Sequence, residues 1–133
     1  MRCLIVDDSA DFRAVLSNML ERGGISVVAD ASNMADALTF CRDLHPEVVL
    51  VDVELGEENG FDLAEALRGP GMAEPPVVIL VSTYSEQDFA ELIAVSPAAG
   101  FVPKFALSAD AVLDLVARAT SPAARPISEP RGR

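Results

Sequence analysis

Acidic, hydroxyl and ammonium side chains stand directly after short apolar runs at four places in this chain. Leu4-Ile5-Val6 runs into Asp7-Asp8, Val48-Val49-Leu50-Val51 into Asp52, Val77 to Val81 into Ser82-Thr83, and Gly100-Phe101-Val102 into Pro103-Lys104. An ionised carboxylate cannot lie inside an apolar run without a partner, so Asp52 must sit just past the end of its strand. A carboxylate placed there can act as a nucleophile, and Asp52 is the residue that would accept a phosphoryl group. Asp7, Asp8 and Asp52 gathered in one crevice would repel one another and raise at least one pKa. A divalent cation resolves that conflict. Mg2+ takes an octahedron of oxygens, typically one or two carboxylates with waters and phosphate oxygens. Asp8 and Asp52 are its expected direct ligands, with Asp7 direct or through water. A backbone carbonyl just after Asp52, most simply that of Glu54, completes the protein's share. Lys104 would hold the transferred group as a point charge, and the Ser82 hydroxyl would donate to another of its oxygens.

The chemistry requires elements that bring these residues together. Val48–Val51 reads as a strand buried on both faces, hence central in a parallel sheet. Phe12, Val15, Leu16, Met19 and Leu20 have helix spacing, which Gly23-Gly24 ends. Ile25 to Ala29 is a second strand. Met34, Ala37, Leu38 and Cys41 mark a second helix capped by Ser32 or Asn33. Gly56-Glu57-Glu58-Asn59-Gly60 is turn chemistry, with Glu57-Glu58 a solvated loop, and a third helix follows through Leu63 and Leu67. Ser85 and Asp88 form a capping box for a fourth helix carried by Phe89, Leu92 and Ile93. Ser108 caps a last helix whose inward face is Val112, Leu115, Val116 and Ala119. Strands alternating with helices predict an α/β fold with a doubly wound, five-stranded parallel sheet, order 2-1-3-4-5, and five helices. In that order strands 1, 3, 4 and 5 are consecutive in space, so all four polar ends fall on one edge.

The 133 residues fit one domain, here residues 1–119, with 120–133 a disordered tail holding three prolines and three arginines. A net charge of −11 argues against direct nucleic-acid binding and against an anionic membrane surface. No apolar run is long enough to cross a bilayer. Cys3 and Cys41 read as buried small hydrophobes in a reducing, cytoplasmic setting. His45, before Pro46, reads as a surface loop residue at the end of the sheet away from the crevice.

From Met1 to about Ala119 the chain resembles a response-regulator receiver domain of two-component signalling, of flavodoxin-like topology and the stand-alone type. The matching pieces are Leu4-Ile5-Val6-Asp7-Asp8-Ser9, Val49-Leu50-Val51-Asp52-Val53 with Gly60 following, Val81-Ser82-Thr83, and Gly100-Phe101-Val102-Pro103-Lys104. Any one motif is weak, but the four in this order are specific. The resemblance implies that Asp52 is the phosphoacceptor, Asp7 and Asp8 the acidic metal pair, Ser82 the switch hydroxyl and Lys104 the phosphate-contacting lysine. It implies that Phe101 is the aromatic that turns inward when the hydroxyl moves. Glu54 and Tyr84 fall where the family modulates water's approach to the acyl phosphate. It further implies a sensor histidine kinase as donor and an output protein, or a homodimer, at the surface of the fourth helix, fifth strand and fifth helix. Two positions depart from the family: Phe105 follows the lysine where Pro is common, and Gly56 replaces a common Pro, which predicts a looser loop.

Taken singly, these residues have plainer readings. Asp7-Asp8 and Ser82-Thr83 could be helix caps, Asp52 a turn residue, Lys104 a solvated surface lysine and Phe101 core. Their joint placement on one edge favours chemistry. The expected function is a switch that catalyses only its own phosphoryl transfer and dephosphorylation, not an enzyme. The alternatives are a phosphorylation-independent adaptor and, less well supported, a small phosphatase with an Asp nucleophile; Asp52-Val53-Glu54 lacks the second Asp of one such class.

Overall fold

In the computed structural model, residues 1–69, 72 and 74–120 are described. The strands are β1 (Arg2–Val6), β2 (Ser26–Ala31), β3 (Val48–Asp52), β4 (Val77–Ser82) and β5 (Gly100–Pro103). The helices are α1 (Ala10–Arg22), α2 (Met34–Leu44), α3 (Gly60–Ala66), α4 (Ala90–Val95) and α5 (Ala109–Thr120). The sheet is parallel throughout, in the order β2-β1-β3-β4-β5. β3 is central and all five of its residues are buried, as its unbroken apolar run predicts.

Side chains alternate across the sheet, so each strand feeds two cores. Leu4, Val6, Val49 and Val51 face α2 and α3, meeting Ala37 and Leu63. Cys3, Ile5 and Leu50 face α1 and α5, meeting Leu16, Leu20 and Val112. Burial pushes the Cys3 thiol up to about 12 and the Cys41 thiol up to about 11, which leaves both unreactive.

Local signals set most boundaries. Ser9, Asn33, Asn59 and Ser108 each accept a backbone N–H of the first turn of their helix. The Ser85–Asp88 capping box is present, but the turn it opens, Glu86–Phe89, is a 3-10 turn leading into a short α4. His45 ends α2 in the left-handed region, with φ of 49°.

Several expectations fail on the faces of helices. Val15 and Leu92 are exposed, and so is Ala119. Phe12, Leu16 and Leu20 already saturate the sheet-facing stripe of α1, which leaves Val15 to one side. On α5, Ala109 and Leu113 take the place given to Ala119. β2 runs two residues beyond Ala29, through a register shift opposite Cys3 and Leu4, because the Asp7 N–H still pairs with Ala31. α5 runs to Thr120, whose hydroxyl donates to the Val116 carbonyl. The rest of the segment expected to be a tail lies outside the described residues.

The turn expected after β3 is present and Glu57 and Glu58 are exposed, and it closes a small antiparallel hairpin, Glu54–Leu55 against Glu58–Asn59, which the sequence reading did not include. Gly56 has φ of 63° and opens its two-residue loop. A positive φ at the first loop position alone fits a type II′ turn, which wants glycine there. A proline, with φ fixed negative, could not take that place. Gly56 therefore builds an ordered turn and not the looser loop expected. The Glu58 carboxylate accepts the N–H of Met34, 3.0 Å away, at the start of α2. Free N–H groups and the positive end of the helix dipole draw the acid there.

Candidate functional site

The carboxyl ends of β1, β3, β4 and β5 lie side by side, so the polar residues following four separate apolar runs share one crevice. Parallel strand direction alone secures this, whatever path the loops take. Asp7 is 1% exposed and Asp52 7%, Ser82 is fully buried, and Asp8 faces solvent.

The Lys104 ammonium lies between the two buried acids, 2.9 Å from Asp7 Oδ2 and 3.1 Å from Asp52 Oδ2. The remaining oxygens are held by backbone. Asp7 Oδ1 accepts the Ser9 N–H at 2.8 Å, and Asp52 Oδ1 accepts the Glu54 N–H at 3.0 Å. Ser82 Oγ accepts the Tyr84 N–H at 3.0 Å. The Val53 carbonyl is taken by the Gly60 N–H at 2.8 Å, so the carbonyl of Glu54 is the next along the chain that could face a ligand. The Glu54 carboxylate itself is exposed, and Tyr84 is half exposed.

Burial, and then the nearby Asp7 charge, push the Asp52 carboxyl up to about 6, against the opposing pull of the Glu54 N–H and of Lys104. Burial pulls the Lys104 ammonium down, but its close contacts with Asp7 and Asp52 outweigh that and raise it above its ordinary value. Lys104 is therefore charged at neutral pH.

One ligand oxygen from each of Asp7, Asp8 and Asp52 lies within 4.8 Å of the others, the only group of three such ligands among the described residues. Asp7 Oδ2 is buried with no hydrogen-bond partner, since the ammonium beside it answers its charge without a well-aligned bond. Three carboxylate oxygens this close together, with one Asp7 oxygen buried and short of a hydrogen bond, fit a hard divalent cation with oxygen ligands.

Three contributions were not visible in sequence. Phe12, assigned only to the core, also stacks under the lysine, with Lys104 Nζ 4.1 Å from its ring centroid. Arg13 pairs with Asp30 at 2.8 Å and donates to the Asp7 carbonyl at 2.6 Å, fastening the acidic turn to β2. Phe89 packs against Phe61, Tyr84 and Phe101, with ring centroids 5.9, 6.2 and 6.1 Å away. Phe101 is thus half-buried in an aromatic group that reaches Tyr84, the residue whose N–H the Ser82 hydroxyl oxygen accepts. The Lys104–Phe105 peptide is trans, and Phe105 is among the most exposed apolar residues described.

Gly60 stands where α3 meets the end of β3. A Cβ there would lie 2.5 Å from the Asp52 carbonyl oxygen and 3.2 Å from Val53 Cα. Both are backbone atoms that cannot swing aside. Gly60→Ala is therefore expected to displace Asp52, cost about 1–3 kcal/mol of stability and weaken Mg2+ binding. Urea unfolding and a Mg2+ titration would check both effects. Unchanged Mg2+ affinity would show that the close approach does not position Asp52.

The comparisons with known proteins agree with this geometry. A family model described as the response regulator receiver domain matches residues 3–116. A protein-glutamate methylesterase/protein-glutamine glutaminase from Halobacterium salinarum is 40% identical over 86 residues, which is 64% of this chain and 24% of that protein. One from Oleidesulfovibrio alaskensis is 40% identical over 107 residues, 78% of this chain and 28% of that protein. The chain thus spans about a quarter of the length of these curated relatives. Among solved structures, the signal receiver domain of NarL from Mycobacterium tuberculosis matches with a TM-score of 0.77 at 29% identity, covering 86% of this chain and 94% of that one. The response regulator domain of Thermotoga maritima CheB matches with a TM-score of 0.74 at 26% identity, covering 90% and 95%.

Proposed function

Because the chain belongs to the response regulator receiver domain family, we propose that it is a phosphorylatable switch in which Asp52 accepts a phosphoryl group from a sensor histidine kinase, with Mg2+ bound. The observation that carries this reading is the convergence of Asp7, Asp8 and Asp52 on the Lys104 ammonium.

In the proposed reaction an Asp52 carboxylate oxygen attacks phosphorus. The new O–P bond forms as the bond to the donor's imidazole nitrogen breaks, and the imidazole leaves with its electron pair. Asp7, Asp8, Asp52 and the Glu54 carbonyl would hold Mg2+, which supplies positive charge against the gathered carboxylate and phosphoryl oxygens. Lys104 leaves Asp52 Oδ2 to meet a phosphoryl oxygen while keeping its contact with Asp7. Ser82 turns its hydroxyl from the Tyr84 N–H towards a second oxygen. Phe101 follows into the space so vacated, which alters the surface of α4, β5 and α5 that an output protein, or a second copy of the chain, would read. Glu54 and Tyr84 flank the path of the water that later cleaves the acyl phosphate. Turnover in this reading is limited to the chain's own phosphoryl group. Among the described residues no helix is long and apolar enough to cross a membrane, and a cytoplasmic site of action suits the two free, buried thiols.

The test is the intact mass of the protein after incubation with acetyl phosphate. The expected result is a single phosphoryl adduct that requires Mg2+ and disappears with excess chelator. No adduct would leave the adaptor reading, and phosphate release over many turnovers would mark a phosphatase.

A further inference from the structure

A second concavity lies beside the phosphoacceptor crevice, between α3 and α4. Its volume is about 390 Å3, and its apolar wall includes Val53, Phe61, Phe89, Leu92 and Val95. Phe89, Leu92 and Val95 recur every three residues, so they follow one side of the 3-10 turn and α4. Leu92 is 52% exposed and Val95 76% exposed. Large apolar side chains left open beside one another on a short helix mark an interaction surface more than isolated exposed residues do.

The rim decides what can cover this groove. Its charged residues are Glu54, Glu58, Asp62 and Glu65, and among the described residues no lysine, arginine or histidine lines it. None of the four acids forms an ion pair among the described residues. Glu58 and Asp62 accept hydrogen bonds from the Met34 N–H and the Asn59 amide; these hold their carboxylates in place and leave the charge uncancelled. A second copy of a chain with net charge −11 would set acid against acid. An anionic lipid surface would do the same.

We propose that the α3–α4 groove docks an amphipathic helix of a partner protein, with aliphatic residues seated on Phe61, Phe89, Leu92 and Val95 and lysine or arginine flanks facing the acidic rim. A helix presents anchors at i, i+3, i+4 and i+7, which suits an apolar floor supplied by Phe61 of α3 and by Leu92 and Val95 of α4. The complementary charge sets orientation and speeds encounter, while burial of Leu92 and Val95 supplies the affinity. This docking does not depend on the chemistry of Asp52.

The test uses the full chain with Mg2+ and two synthetic helical peptides of about 18 residues, one with a leucine face and lysine flanks, the other with the same leucines and glutamate flanks. Binding is followed by peptide fluorescence anisotropy. The expected result is saturable binding of the lysine peptide that weakens as salt rises. It should fall at least about tenfold in Leu92→Lys/Val95→Lys, a variant changed at two exposed positions, whose circular dichroism and melting should match the parent. Glu65→Gln should weaken the lysine peptide and leave the glutamate peptide unbound. Equal binding of the two peptides, undiminished binding to the double variant, or no saturable binding of the lysine peptide would overturn the proposal. Adduct formation measured by mass on the same samples reports Asp52 separately, so loss of one property cannot be mistaken for loss of the other.

Discussion

Asp52→Asn is expected to form no phosphoryl adduct with acetyl phosphate and Mg2+, and yet to be more stable than the parent at pH 7.5 without metal. The first effect follows from the nucleophile: an amide does not displace a leaving group from phosphorus under these conditions. The second follows from the Asp52 carboxyl, raised by burial from 3.8 to about 6. Below about pH 4 the carboxyl is protonated in both folded and unfolded chains. Between about 4 and 6 the folded chain keeps a proton that the unfolded chain has released. Above 6 both are ionised, and the folded chain carries the cost of a buried charge. The contribution to stability is therefore whole at low pH and lost as pH rises through about 6. Asparagine does not ionise and escapes that loss, worth about 1–3 kcal/mol at neutral pH. Urea unfolding of both proteins at about pH 4 and pH 7.5 in chelator should show the full advantage at the higher pH and only a small part of it at the lower. A variant less stable than the parent at pH 7.5 would contradict this account of Asp52.

Lys104→Met is expected to reverse that relation. Methionine keeps much of the aliphatic stem on Phe12 and removes the charge that lies 2.9 Å from Asp7 and 3.1 Å from Asp52. Two buried carboxylates are then left to face one another, and removal of one partner from a buried ionic group costs about 3–5 kcal/mol. The loss should be largest in chelator at alkaline pH. Mg2+ should recover much of it, because a ligand that binds only the folded chain stabilises by mass action, and the cation no longer competes with an ammonium for Asp7 Oδ2 and Asp52 Oδ2. The rate of adduct formation should nevertheless fall roughly 100-fold, the scale seen when one aimed electrostatic contact is taken from a transition state. Melting temperatures with and without Mg2+, together with the time course of the adduct, measure both. If Mg2+ raised the melting temperature of parent and variant equally, the competition between ammonium and metal would be refuted.

The parts of this structure that were legible in sequence share a physical origin. Val48–Val51 is buried because an unbroken β-branched run has no polar face, and Asp52 ends it because a carboxylate must reach a partner. Once the strands are parallel, their carboxyl ends share an edge, so Asp7, Asp52, Ser82 and Lys104 could be placed together without knowledge of any loop. The unread parts depend on which surfaces meet. Helical spacing marked Val15, Leu92 and Ala119 as inward, but a helix packed on a sheet buries a stripe narrower than its apolar pattern. Glu58 is exposed as its sequence suggests, but its bond to the start of α2 shows only once α2 is set beside it, and Phe12 reads as core until Lys104 arrives from residues far along the chain. The hairpin around Gly56 did carry a local signal, a Gly-Glu pair flanked by residues that can pair across it, and there the turn type was the missed inference.

The crevice is drawn from strands at both ends of the chain, and the order of synthesis gives that a consequence. The ribosome makes Asp7 and Asp8 before Asp52, and Lys104 only some way after Asp52. Until the last strand docks, the nascent chain holds a set of carboxylates without their internal counter-charge, and no shorter intermediate can carry the finished reaction centre. The finished crevice therefore arrives late and all at once, as a property of the completed sheet.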